Sequence, residues 1–147
     1  MASILAFAGS NSSTSINFKL VKYTSDLIKN NEVKLMDISS SPVPMYGEDV
    51  ENANGYPEAV VTLQEEIKKA DGLIISVNEH NSGPSAFFKN VMDWLSRVDK
   101  NFLEDKKIFL MSTSPGKRGA MSSLTYVKDT LPSMIILIPK KGFWMWN

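Results

Sequence analysis

Short apolar runs alternate along the chain with segments whose apolar positions recur every three to four residues, and this alternation predicts strands alternating with helices. Residues 4–8 form a continuous apolar run that stops at Gly9-Ser10, the pattern of a buried parallel strand. Residues 10–15 are small and polar and read as a loop. From about Ser15 a helix is expected, with Leu20, Val21, Thr24, Leu27 and Ile28 on its buried face and Asn30-Asn31 as its end. Residues 33–38 form the second expected strand, and residues 39–55, with two prolines and two glycines, a long loop. Pro57 suits the first turn of the next helix, whose buried face is Val60, Leu63, Ile67 and Ala70. Residues 73–77 predict the third strand and residues 78–84 a loop. Phe87, Phe88, Val91, Met92, Trp94 and Leu95 then mark a helix apolar on more than one face. A fourth strand at 108–111, a loop at 112–119, a helix through Leu124, Val127 and Lys128, and a fifth strand at 134–138 complete the pattern.

Strands separated by helices imply right-handed crossovers and one parallel sheet. In such a sheet ligands sit beyond the carboxyl ends of the strands, where strand order reverses. Three loops qualify, 9–17, 78–83 and 112–119, and all are rich in Gly, Ser, Thr and Asn. The first, Gly9-Ser10-Asn11-Ser12-Ser13-Thr14-Ser15-Ile16-Asn17, offers hydroxyls and backbone N–H groups at a helix N-terminus, a neutral cradle for a phosphate. It has neither the Gly-Lys-Ser/Thr of a Walker loop nor a Gly-x-Gly-x-x-Gly fingerprint. The alternative is a plain polar loop with Ser15 as helix N-cap.

Composition narrows the function. The 147 residues suit a single domain, 43% hydrophobic and 22% charged. Lys+Arg and Asp+Glu are 16 each, which argues against nucleic acid or an anionic membrane surface as partner. No cysteine and one histidine exclude disulfides, iron–sulfur clusters and a multi-His metal site within the chain. No apolar stretch approaches membrane-spanning length and the N-terminus lacks a signal-peptide pattern, so a cytoplasmic protein is expected. No Ser–His–Asp set points to hydrolysis.

Beyond these readings, the chain resembles the NADPH-dependent FMN reductase family over about residues 4–131. Gly9-Ser10 and Ser15-Ile16-Asn17 match that family's first loop, Gly-Ser-x-Arg-x-x-Ser-x-Asn, at the same spacing. The family's Pro-Glu-Tyr-Asn-x-Ser, followed by Lys-Asn-x-x-Asp-Trp, stands here as Asn78-Glu79-His80-Asn81-Ser82 and Lys89-Asn90-Val91-Met92-Asp93-Trp94. Ser112-Thr113-Ser114-Pro115-Gly116 also looks like the family's fourth-strand loop.

The resemblance implies a flavodoxin-like doubly wound sheet in the order 2-1-3-4-5. It implies that Ser10, Ser12, Ser15, Ile16 and Asn17 form the FMN phosphate loop. Asn78, Glu79, His80 and Asn81 would line the isoalloxazine, largely through backbone groups, and Thr113 with Ser112 or Ser114 would close the other side. Lys89, Asn90, Asp93 and Trp94 have a structural alternative as loop and helix supports, favoured for Asp93 and Trp94. No catalytic side chain is assigned.

Two positions depart from the family pattern: Ser12 replaces an Arg, removing a charge-assisted phosphate contact, and His80 replaces a Tyr. Residues 132–147 form an atypical tail in which the family's final helix is missing. The implied function is an oxidoreductase using FMN, with NADPH or NADH as co-substrate and a quinone, flavin, azo compound or metal oxyanion as small-molecule electron acceptor. The alternatives are a flavodoxin-type electron carrier and a family member that folds without flavin. The apolar helix after the third strand and the tail at 143–146 imply a homodimer or homotetramer.

Overall fold

The computed structural model describes residues 1–131 and the backbone of a strand at 135–136. Four long strands, β1 (Ser3–Ala8), β2 (Glu32–Met36), β3 (Gly72–Val77) and β6 (Lys107–Ser112), pair in parallel in the order β2-β1-β3-β6. The two-residue β7 (Ile135–Ile136) pairs parallel to the start of β6. Most of the expected fifth strand, the tail and its aromatic residues lie outside the described residues.

Side-chain alternation along the strands sorts the core into two faces. Leu5, Phe7, Leu73, Ile75, Val77, Ile108 and Leu110 point to one. There they meet α3 (Glu58–Lys69) through Val60, Leu63 and Ile67, α4 (Ala86–Val98) through Phe88, Val91, Trp94 and Leu95, and α5 (Met121–Thr130) through Leu124 and Val127. Ala6, Ala8, Ile74 and Met111 point to the other face, where α1 (Ile16–Asp26) contributes Val21. Small residues on β1 there let α1 approach closely.

Four expectations change. Leu27 is exposed, because α1 ends at Asp26 and Leu27 is its C-cap. The long connection after β2 contains a helix, α2 (Glu48–Asn54), with no buried residue. Glu48, Asp49 and Glu51 in its first turn favour the dipole, and Gly55, at φ 70°, ends it where other residues would be strained. Residues 79–84 are a small hairpin, β4 (Glu79–His80) and β5 (Gly83–Pro84), rather than plain loop.

The apolar helix α4, lastly, finds its cover within the chain. Phe88, Val91, Trp94 and Leu95 are buried in the core, with Phe87 and Met92 packed partly against it. Trp94 is covered by the β2–α2 connection: its Nε1 donates to Pro44 O (2.8 Å), and its ring meets Tyr46 edge-on at 5.0 Å. Asn90, one helical turn earlier on the same face, donates to Pro44 O (2.9 Å) and accepts from Tyr46 N–H (2.7 Å). The Lys-Asn-x-x-Asp-Trp string is therefore a staple for this connection. Its Lys89 and Asp93 form an exposed ion pair along the helix.

Candidate functional site

Register brings the three polar loops to one level. Ala8 pairs with Ser76 and Val77 with Ser112, so β1, β3 and β6 release their loops side by side at the carboxyl edge. β1 lies between β2 and β3, which puts the reversal of strand order at the first of these loops.

The first loop turns sharply against α4. Gly9 N–H donates to Ser76 O (2.9 Å), and Ser85 Oγ donates to Gly9 O (3.2 Å) while accepting from Phe88 N–H as the N-cap of α4. A Cβ on Gly9 would sit 2.2 Å from Phe88 Cδ2, so only glycine allows this approach. Beyond it Ser10 Oγ accepts from Ser12 N–H (3.2 Å), Ser12 Oγ accepts from Thr14 N–H (3.3 Å), and Ser15 N–H donates to Ser12 O (3.2 Å). Ser15 caps α1, its Oγ accepting from Phe18 N–H (3.2 Å) and its proton left to donate. The N–H groups of Ile16 and Asn17 find no acceptor among the described residues. This donor set fits a phosphate: two open N–H groups at the positive end of a helix, ringed by hydroxyls, with no carboxylate in the loop.

Asn17 ties this loop to the third. Its Oδ1 accepts from Ser76 Oγ (2.7 Å) and Thr113 N–H (3.0 Å), and its Nδ2 donates to Thr113 O (3.1 Å). The side chain is 3% exposed, so the Asn17 amide acts as a buried rivet and its contribution to a phosphate is through its backbone N–H. Ser112 Oγ donates back to Gly119 O and Ala120 O (3.2 Å each), closing the third loop on itself. Ser114 and Thr113 stand on its rim.

The second loop is carried by the hairpin β4–β5. Asn81 and Ser82 at its tip have φ of 52° and 63°, the geometry of a two-residue type I′ turn. His80 and Asn81 are exposed. Asn78 is 9% exposed; its carbonyl accepts from Ser123 Oγ (2.9 Å), and its buried Oδ1 has no partner. Glu79 Oε2 accepts from Ser123 N–H (3.0 Å). The twelve sequence-predicted site residues thus lie on three segments at the carboxyl edge of the sheet, the first running into α1, the second including β4 and the third leaving β6 at Ser112.

Sequence reasoning missed Ser76, Ser85 and Ser123. Ser76 is a polar residue inside an apolar strand and Ser85 stands directly before a helix, two signals that were available. Ser123 carries none. A cleft of about 450 Å³ lies elsewhere, lined by Pro42, Pro44, Val50, Asn54 and Pro57 among others, with the carboxylate-bearing Glu58 in its wall. No group of three or more His, Cys, Asp or Glu able to hold a metal occurs among the described residues, and no described helix is long and apolar enough to cross a membrane.

Residues 2–147 match the family described as NADPH-dependent FMN reductase. A quinone reductase of Escherichia coli is 29% identical over 114 residues, covering 75% of this chain and 61% of its own. An NAD(P)H-dependent FMN reductase of Pseudomonas aeruginosa is 31% identical over 129 residues, covering 87% and 68%. Among solved structures, a flavoenzyme NAD(P)H:(acceptor) oxidoreductase from Paracoccus denitrificans superposes with a TM-score of 0.82 at 25% identity, covering all of this chain and 81% of that one. The chain spans about three-fifths of the length of the Escherichia coli quinone reductase.

Proposed function

The chain belongs to the NADPH-dependent FMN reductase family, and from that premise we propose that it is an FMN-dependent NAD(P)H oxidoreductase serving a small acceptor of the quinone type. The observation that carries the reading is the donor set at the start of α1, riveted by Asn17 to the loop after β6. Bound FMN supplies the two-electron redox chemistry; the chain binds, orients and shields.

In this reading Ile16 and Asn17 N–H groups, with the hydroxyls of Ser10, Ser12 and Ser15, hold the phosphate. The backbone from Asn78 to Asn81 lines one side of the ring, and Ser112, Thr113 and Ser114 close the other. No side chain needs to act as acid or base. Lys117 and Arg118 are the only Lys or Arg residues on the three loops and attract the anionic dinucleotide. A cytoplasmic location and assembly into a homodimer or homotetramer complete the proposal. Exposed Met45 and Tyr56 supply apolar surface for assembly that α4 does not.

Titrating the apoprotein with FMN while following flavin fluorescence tests the reading. Saturable quenching, followed by FMN-dependent oxidation of NADPH or NADH with a benzoquinone acceptor, is the expected result. A protein that leaves FMN fluorescence unchanged is the flavin-free alternative. One that binds FMN but leaves both nicotinamides unoxidised is an electron carrier.

A further inference from the structure

The hairpin β4–β5 forms a two-stranded sheet of its own, separate from the main sheet. Its turn holds two non-glycine residues in the left-handed region, Asn81, which tolerates it, and Ser82, which adopts it less readily and is held there by its surroundings. The holding element is α5. The N-cap of that helix is Ala120, whose φ is 62° and which supplies no side-chain cap. Its cap comes from far upstream: Glu79 Oε2 accepts from Ser123 N–H at 3.0 Å, an interaction across 44 positions of sequence. Ser123 Oγ in turn donates to Asn78 O at 2.9 Å. Ser123 is wholly buried, so the bond to Asn78 is sheltered from water, and the bond to the half-buried Glu79 is sheltered in part.

One residue therefore grips the root of the hairpin twice, by the carbonyl of Asn78 and by the side chain of Glu79. Two contacts on consecutive residues fix rotation as well as position. The grip also places the Glu79 carboxylate at the positive end of α5, where its charge is offset.

We propose that Ser123 is a positioning residue that sets the Asn78–Asn81 segment against the flavin. This rests on the functional reading above. Ser123 touches neither cofactor nor substrate and acts through Asn78 and Glu79.

The test uses Ser123→Ala, Ser123→Thr and Glu79→Gln. Amide hydrogen exchange of the apoprotein, read at residues 80–83, needs no flavin. Ser123→Ala is expected to speed exchange there by about tenfold or more, consistent with the loss of a buried hydrogen bond, while the strands of the main sheet stay protected. FMN affinity is expected to fall by about tenfold, with an altered visible circular dichroism band of the bound flavin. Ser123→Thr, which restores the hydroxyl, should recover the band. Glu79→Gln, which keeps an acceptor oxygen, should fall between the two. If Ser123→Ala does not fold, Glu79→Gln carries the same readouts from a half-buried position.

Unchanged exchange at 80–83 overturns the proposal, as does faster exchange with the affinity and the band unmoved. If the wild type binds no FMN, the functional reading falls, and the exchange result still decides whether Ser123 positions the hairpin.

Discussion

Toward the amino edge of the sheet the contacts are charged and lie mostly at the surface. Asp71 Oδ2 accepts from Ser3 N–H (2.8 Å), Glu66 pairs with Lys34 (2.6 Å) and Lys69 (2.9 Å), and Lys106 Nζ donates to the carbonyl of Ala70 (2.6 Å). At the carboxyl edge they are mostly neutral and buried: Asn17 with Ser76 and Thr113, Ser85 with Gly9, Ser123 with Asn78. Exposed ion pairs stabilise little, since water screens them and long side chains lose entropy on pairing. Buried neutral bonds are more consequential, because removing one partner strands the others. Among the described residues no ion pair uses a residue of the three loops, and those loops are made stiff mainly with uncharged links.

The comparison breaks most visibly at Asn17. Asn17→Ala strands Ser76 Oγ and both backbone groups of Thr113, and is expected to lower stability by about 2–3 kcal/mol in urea denaturation. FMN affinity should fall with it. A loss below about 0.5 kcal/mol would show that the buried links are as weak as surface ones.

Next comes Gly9→Ala. Its methyl would overlap the ring of Phe88, which is buried in the core. Overpacking of this kind costs about 1–3 kcal/mol. Phe88→Leu in the same chain should restore part of the loss relative to Phe88→Leu alone, and a strictly additive pair would refute the steric account.

The smallest effect belongs to the amino edge. The Ser3 backbone N–H holds the Asp71 carboxyl below the usual carboxylate range, with the Ser3 hydroxyl and the Lys106 charge adding to it. A depressed folded-state pKa stabilises fully above the unfolded value and is lost as pH falls through the folded one. Asp71→Asn keeps an acceptor for Ser3, so thermal stability at neutral pH should barely change. The decline below the ordinary carboxylate range should become shallower. A neutral-pH loss as large as that of Asn17→Ala would erase the contrast between the edges.

The parts of this molecule that were legible in the sequence are those whose physics is local. Strands β1, β3 and β6 announce themselves as continuous apolar runs, and the face of α3 by its spacing. Leu27 was misplaced because periodicity does not say where a helix stops. Helix α2 was missed because none of its residues is fully buried; Arg97 grips its Glu51 from α4 (2.9 Å), a tertiary support invisible in a seven-residue segment with five polar positions. The hairpin was hidden because its turn uses Asn81-Ser82 where a glycine would have signalled the positive φ. For the site, position in the fold and residue type located the three loops. They did not reveal that the Asn17 amide is spent on Thr113, or that Ser123 supports the second loop, since nothing near either residue hints at a partner so far away.

That distance sets a schedule for synthesis. Asn17 meets Thr113 across 96 positions, and Glu79 meets Ser123 across 44. A nascent chain is made from its N-terminus at a finite rate, and contacts between distant segments form only when the later one exists. When β1, α1 and β2 have emerged, the phosphate-loop sequence is complete but its rivet has not been made. The cradle acquires its final shape only after β6 and the start of α5 have joined, so the site is among the last features to ripen, and a chain stalled before Thr113 carries the loop without the pocket.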